Sequence, residues 1–212
     1  MKKYLKLMRV KHYIKNVLVL VPFIFSGQLF QPFYLARAIA GFLAFSLISS
    51  VVYIFNDIRD AESDRLHPTK KARPIASGEI TKRAAYIFGG FLLVCAGVLQ
   101  YFSNAVYWYA WTLLALYLVL NLAYSFKLKN IPILDVAILV SGYVIRVLYG
   151  ATLGGIEISR WLYLTVISMS FYLGLGKRRN ELIQLNQDAK REVLRYYNRD
   201  FLDKNMYMCL AL

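Results

Sequence analysis

Residues 56–80 read "NDIRDAESDRLHPTKKARPIASGEI". Asn56, Asp57, Asp60, Glu62 and Asp64 crowd acidic and amide groups into its first nine positions. The whole chain has 12 Asp and Glu against 26 Lys and Arg, so these nine positions hold a third of the carboxylates. It follows directly on an apolar run, "AIAGFLAFSLISSVVYIF" at 38–55, where charge is least welcome. The junction marks where a helix leaves an apolar environment for water, and the remaining elements can be placed outward from it.

The 212 residues are 58% hydrophobic, against about 45–50% apolar in soluble domains. Mean hydropathy is +0.45. The excess falls in blocks of about twenty residues, the length that crosses a bilayer's hydrocarbon core. A chain this short has too little polar helix to bury such blocks inside a soluble protein. The sequence therefore predicts an all-α integral membrane protein. Spans are expected at 16–31, 34–55, 84–102, 105–125, 132–153 and 159–176, with a seventh beginning near 200.

The start, "MKKYLKLMRVKHYIKNVLVLVPFIFSG", has too long a basic part and no convincing cleavage site for a signal peptide. It reads as a retained first span. Cys95 and Cys209 sit in apolar context and give no disulfide framework. The end, "DKNMYMCLAL", starts a span without completing it. The expectation is one transmembrane helical domain over 1–212, incomplete at its C-terminus.

Positive charge orients the spans. With a cytoplasmic N-terminus, segments 1–15, 56–83, 126–131 and 177–199 face the cytoplasm. They hold six, seven, two and seven Lys or Arg, which is 22 of the 26, as the positive-inside rule demands. The net charge of +14 thus follows from topology, and no nucleic-acid partner is expected. The acidic stretch lies on the cytoplasmic side of what should be a bacterial inner (plasma) membrane.

On a continued helix Asn56, Asp60 and Asp64 fall within about 80° of one another and form a stripe. Asp57 lies beside Asp64, and Glu62 points away. Carboxylate and amide oxygens on one face suit Mg²⁺, which is often completed by substrate phosphates. Arg65, His67, Lys70, Lys71 and Arg73 follow closely. Cations beside a metal-binding stripe fit a diphosphate-bearing substrate, and loss of diphosphate needs such charge. The alternative is a solvated interfacial loop whose ions pair weakly. An acceptor phosphate needs no strong base, so His67 reads as a binding or structural residue.

Further candidates lie elsewhere. Lys15 and Asn16 stand at the mouth of the first span. "YSFKLKNIPILD" gives Tyr124, Lys127, Lys129 and Asp135. Asp135 and Arg146 share a helix face about 16 Å apart along the axis. Ionisable groups within spans mark polar cavities or partners, so both are expected to line one cavity. Asp135 would hold a cation or orient Lys129. Arg146 would reach a phosphate or bond helix carbonyls. Tyr107, Trp108, Tyr109 and Trp111 form an interfacial aromatic belt.

"NDIRDAESD" has the form N-D-x-x-D-x-x-x-D and resembles the first aspartate-rich motif of the UbiA prenyltransferase superfamily, as does "RPIASGEI" after it. "VKHYIKNVLVLVPFIFSG", "DRLHPTKKARPIASG" and "YSFKLKNIPILDVAILVSGYVIRVLYGA" resemble its decaprenyl-phosphate phosphoribosyltransferase branch. The resemblance covers about residues 8–181. It implies a bundle of about nine spans, of which six and the start of a seventh are present. It also implies Mg²⁺ held by Asn56, Asp60 and Asp64, with Asp57 beside them at the catalytic centre.

The branch further implies phosphoribosyl pyrophosphate as donor and a polyprenyl (decaprenyl) phosphate as acceptor, for cell-wall arabinan precursors. Lys15, Arg65, Lys70, Arg73, Tyr124, Lys129, Asp135, Arg146, Lys177 and Arg178 would then bind substrate. A second motif, D-x-x-x-D, is missing. "GLGKRRNELIQLNQDAKRE" stands there, with Glu181 and Asp188 the nearest acids. This basic loop suits a donor carrying an extra phosphate and argues against an ordinary prenyl donor. The competing readings are a UbiA-type prenyltransferase acting on an aromatic or lipid acceptor, and a non-enzymatic transporter or lipid-binding protein.

Overall fold

The structure is a computed structural model that describes residues 2–104, 108–126, 128–184 and 192–211; side chains of Asn104, Lys129, Gln184 and Glu192 are not described. All regular elements among the described residues are helical. They are α1 (Lys2–Met8), α2 (Val21–Phe25), α3 (Pro32–Arg59), α4 (Ala61–Leu66), α5 (Lys82–Asn104), α6 (Trp108–Phe126), α7 (Leu134–Gly154), α8 (Arg160–Gln184) and α9 (Arg199–Ala211). Among these, α3, α5, α6 and α7 are long and apolar enough to cross a membrane. On α5 and α6 only 28% and 22% of the apolar window is buried by protein, which leaves side chains such as Ile87, Phe91, Val94 and Val119 for lipid.

Two expectations differ from the structure. The first span is not one helix: a 3-10 helix over Val10–Leu20 leads into the short α2. Pro22 has no N–H to give the Leu18 carbonyl, which instead accepts from Val21 three residues on. Gly27, at φ 72°, then turns the chain. The sixth expected span, 159–176, is part of the longer α8, which runs on through Lys177, Arg178 and Arg179. Those charges keep α8 off the set of membrane-crossing candidates.

The chain divides into two compact units, Met1–Leu122 with Arg146–Ile156, and Ala123–Ile145 with Glu157–Leu212. In the first, α3 packs along α5. Leu7, Ile54, Ile58, Ala61, Ile75, Ile80, Ala85 and Leu92 form a core directly beneath the 56–80 stretch. One close approach sets this unit: a Cβ on Gly150 would stand 1.9 Å from the Val19 carbonyl oxygen, so α7 meets the 3-10 helix only through glycine. In the second unit Val136, Val140, Leu175, Val193, Leu194, Tyr197 and Leu202 pack together, with α8 against α9.

Candidate active site

The stripe forms almost as its spacing predicts. The Asp60 N–H donates to the Asn56 carbonyl at 2.9 Å and the Asp64 N–H to the Asp60 carbonyl at 2.8 Å, so helical bonding runs through the α3–α4 junction. The side chains sort differently. Asp60 caps α3 with φ −86° and ψ 3°, and its carboxylate takes the neighbouring Arg59 at 2.8 Å. Asp57 and Asp64 are the buried pair, 2% and 3% exposed. Arg73 Nη1 donates to Asp57 Oδ1 at 3.1 Å and to Asp64 Oδ2 at 2.6 Å. Asp57 thus stands where the stripe reading put Asp60, because a spacing of seven residues returns to the same helix face. Glu62 points away and pairs with Lys82 at the surface.

The loop after α4 closes over this pair. Arg65 Nε donates to the Ala76 carbonyl at 3.3 Å. The His67 Nδ1 accepts backbone N–H groups of Thr69 and Lys70, which makes it a turn residue. Ile75 and Ile80 enter the core and carry Arg73 to the carboxylates. Lys70 is half-buried and Lys15 exposed.

A second cation on the acids was not read from the sequence. Arg9 donates to Asp57 Oδ1 as well and lies over the Tyr53 ring at 4.9 Å. Its backbone is left-handed, φ 54° and ψ 47°. The only signal was its place among six N-terminal bases.

Among the described residues, no three Asp, Glu, His or Cys side chains converge on one point. The donors nevertheless fit Mg²⁺ in kind. They are hard oxygens, and the two buried carboxylates already share one cation, the Arg73 guanidinium. A buried carboxylate pair demands positive charge, whether guanidinium or metal.

Arg146 also belongs to the first unit. It is 6% exposed. Its Nε donates to Asn16 Oδ1 at 2.8 Å and its Nη2 to the Tyr117 hydroxyl at 3.0 Å, while Asn16 donates to Ser46 at 3.0 Å. The guanidinium also lies 5.1 Å from the Phe45 ring centre. The side chains around it are amide, hydroxyl and ring, which sequence spacing did not foretell.

In the second unit Asp135 does hold a cation, namely Arg178, and both are fully buried. Arg178 further donates to Glu181 at 2.7 Å and to the Tyr124 hydroxyl at 2.9 Å. The Tyr197 hydroxyl donates to Asp135 at 2.6 Å and accepts the Ile133 N–H at 2.7 Å. Burial, and then the Asp135 hydrogen bond, push that hydroxyl up to about 12, so it stays a donor. Arg178 is thus held by Asp135, Glu181 and Tyr124. Lys177 is exposed and lines a cavity of about 690 Å³ with Tyr172, Arg179, Asn180 and Glu181. Lys127, Tyr107, Asp188 and the Lys129 side chain lie outside the described residues.

The model of the UbiA prenyltransferase family matches residues 17–193. The chain belongs to the UbiA prenyltransferase family. A decaprenyl-phosphate phosphoribosyltransferase of Mycolicibacterium smegmatis is 36% identical over 84% of this chain and 56% of its own length. One of Mycobacterium tuberculosis is 36% identical over 93% of this chain and 66% of its own length. The chain therefore spans about half to two thirds of these relatives. The solved structure of a UbiA homologue from Archaeoglobus fulgidus, bound to GPP and Mg²⁺, matches with a TM-score of 0.76 at 20% identity. The match covers 99% of this chain and 74% of that one. That likeness gives the all-α UbiA fold, and with four membrane-length helices the chain is a multi-pass membrane protein.

Proposed function

We propose that this UbiA protein transfers 5-phosphoribose from phosphoribosyl pyrophosphate to a polyprenyl phosphate such as decaprenyl phosphate, releasing pyrophosphate. One observation carries the reading: the buried Asp57–Asp64 pair shares a cation, the Arg73 guanidinium, in a chain 36% identical to a decaprenyl-phosphate phosphoribosyltransferase. Asn56, Asp60 and Asp64, with Asp57 beside them, would hold Mg²⁺, which when bound supplies positive charge to the leaving diphosphate.

Arg73, Arg65, Lys70 and Lys15 add positive charge to that anion. The ribose C1–O bond to pyrophosphate breaks as C1 gains oxocarbenium character, as in other glycosyl transfers. An oxygen of the lipid phosphate forms the new bond to C1, and the bonding pair leaves with pyrophosphate. The acceptor is already anionic, so no general base is required, in keeping with His67 as a turn residue. Lys177 and Lys129 remain the second unit's candidates for a phosphate group, while Arg178 and Asp135 serve there as a structural pair. The reaction faces the cytoplasm at the bacterial inner membrane, the side that collects 22 of the 26 basic residues.

The test is a donor competition in detergent with polyprenyl phosphate. Labelled phosphoribosyl pyrophosphate should pass its label to the lipid with Mg²⁺-dependent release of pyrophosphate. Transfer from labelled prenyl diphosphate to an aromatic or lipid acceptor would instead establish a prenyltransferase. Turnover of neither, in protein that is folded, would return the transporter or lipid-binding reading.

A further inference from the structure

The first acid in the chain is Asp57, so the N-terminal segment is basic without relief. Lys2, Lys3, Lys6 and Lys11 are all exposed. Large apolar side chains stand out among them: Leu5 is 52% exposed, Ile14 73% and Val17 38%. The backbone explains the arrangement. In a 3-10 helix the side chains at i and i+3 eclipse, so Val10–Leu20 presents straight rows. Tyr13, Asn16 and Val19 form the row turned to protein. The Tyr13 hydroxyl shares a hydrogen bond with Ser50 at 2.8 Å, Asn16 donates to Ser46 at 3.0 Å, and Val19 is fully buried. Lys11, Ile14 and Val17 form the next row, and it faces outward.

This segment is not a loose tail. Leu7 is fully buried in the core beneath the 56–80 stretch. Lys6 donates to the Ala72 carbonyl at 2.6 Å and Lys3 to the Glu79 carbonyl at 3.3 Å. An ammonium carries more donors than one such bond uses, and both lysines stay exposed. Arg9 reaches Asp57, just past the apolar run of α3, which sets the segment level with the edge of the apolar layer. Water would suit the lysines and penalise Leu5, Ile14 and Val17. Hydrocarbon would do the reverse. The boundary between acyl chains and anionic headgroups suits both.

We propose that residues 2–17 form a binding surface for anionic phospholipid. Lys2, Lys3, Lys6 and Lys11 meet the headgroup phosphates, and Leu5, Ile14 and Val17 enter the upper acyl region. Lys15, assigned above to the diphosphate, is not needed for it, and the surface does not depend on which donor the enzyme uses. Lipid bound there braces the 70–80 loop through Lys3, Lys6 and Leu7, so its binding should show as stability.

The test is thermal unfolding of the purified full chain in a neutral detergent, titrated with phosphatidylglycerol or with phosphatidylcholine. Phosphatidylglycerol should raise the melting temperature saturably, and phosphatidylcholine should leave it little changed. Lys2→Gln with Lys11→Gln should weaken the apparent phosphatidylglycerol affinity by about tenfold or more, from about fivefold for each lysine at an anionic surface. Lys2→Arg with Lys11→Arg should keep it. Lys3 and Lys6 are left intact to hold the loop, so the lipid-free melting temperature should not move.

Unchanged affinity in the glutamine pair would overturn the proposal, and so would an equal response to phosphatidylcholine. A shift with inorganic phosphate that the glutamine pair also removes would replace the lipid surface with a free-phosphate site. A change of oligomeric state in the pair, with its lipid response intact, would make the surface an interface between copies. If the pair does not fold, Lys11→Gln alone decides: wild-type affinity overturns the proposal, and a severalfold loss supports it.

Discussion

At the scale of single residues, the unusual feature is a pair of buried carboxylates whose charge is met by arginine. Removing one carboxylate oxygen's charge should be felt directly. Asp64→Asn is expected to lower the rate of pyrophosphate release by about a hundredfold or more, as loss of a group that organises a developing anion does. Glu62→Gln, two residues away, breaks only a surface pair with Lys82 and should change it by less than about twofold. Comparable rates for the two variants at saturating Mg²⁺ would remove Asp64 from the chemistry. The acids were legible in the sequence because helix periodicity alone brings positions 56, 57, 60 and 64 near one face. Their partners were not. Arg9 reaches Asp57 only through a left-handed turn and a chain reversal, and no local pattern encodes either. Arg73 was visible as one of several cations, but spacing does not say which of them the core carries inward.

At the scale of elements, two contacts fix helices to their neighbours. Asp135 on α7 and Arg178 on α8 are buried together, so either alone is an unpaired charge. Asp135→Asn or Arg178→Met should each destabilise the second unit by about 3–5 kcal/mol, whereas Asp135→Leu with Arg178→Met should recover most of that loss. Thermal melts of the three variants in one detergent check this, and a double variant as unstable as the singles would show that the pair is not what matters. Gly150 is the other contact. Gly150→Ala pushes a methyl group into the Val19 carbonyl and should cost about 1–3 kcal/mol or more, read as a lower melting temperature. The sequence showed Asp135 as a charge that needed a partner, and it named Arg178 as a cation, yet it assigned each to substrate. Which groups meet across two helices depends on packing that a single helix does not record. The first span failed for a local reason, since its apolar run was counted without the break at Pro22 and the turn at Gly27.

At the scale of the whole molecule, the apolar blocks were enough to place most of the helices, and the distribution of Lys and Arg predicts how they are oriented. The orientation can be checked in a variant lacking Cys95 and Cys209. Ser63→Cys and Ser159→Cys, both at exposed positions, should behave oppositely toward a membrane-impermeant thiol reagent. Ser159→Cys is expected to react in intact cells, and Ser63→Cys only in inverted vesicles. The reverse pattern would place the acidic stretch outside the cell. The two arginines on Asp57 also bear on how the protein is made. Arg9 has left the ribosome well before Asp57, and Arg73 only after it. As α3 enters the bilayer, its one deeply buried acid therefore meets a counter-ion supplied by chain already synthesised. The docking of the N-terminal segment and the membrane integration of α3 become one event, with the 70–80 loop arriving afterwards to lock a helix that is already seated.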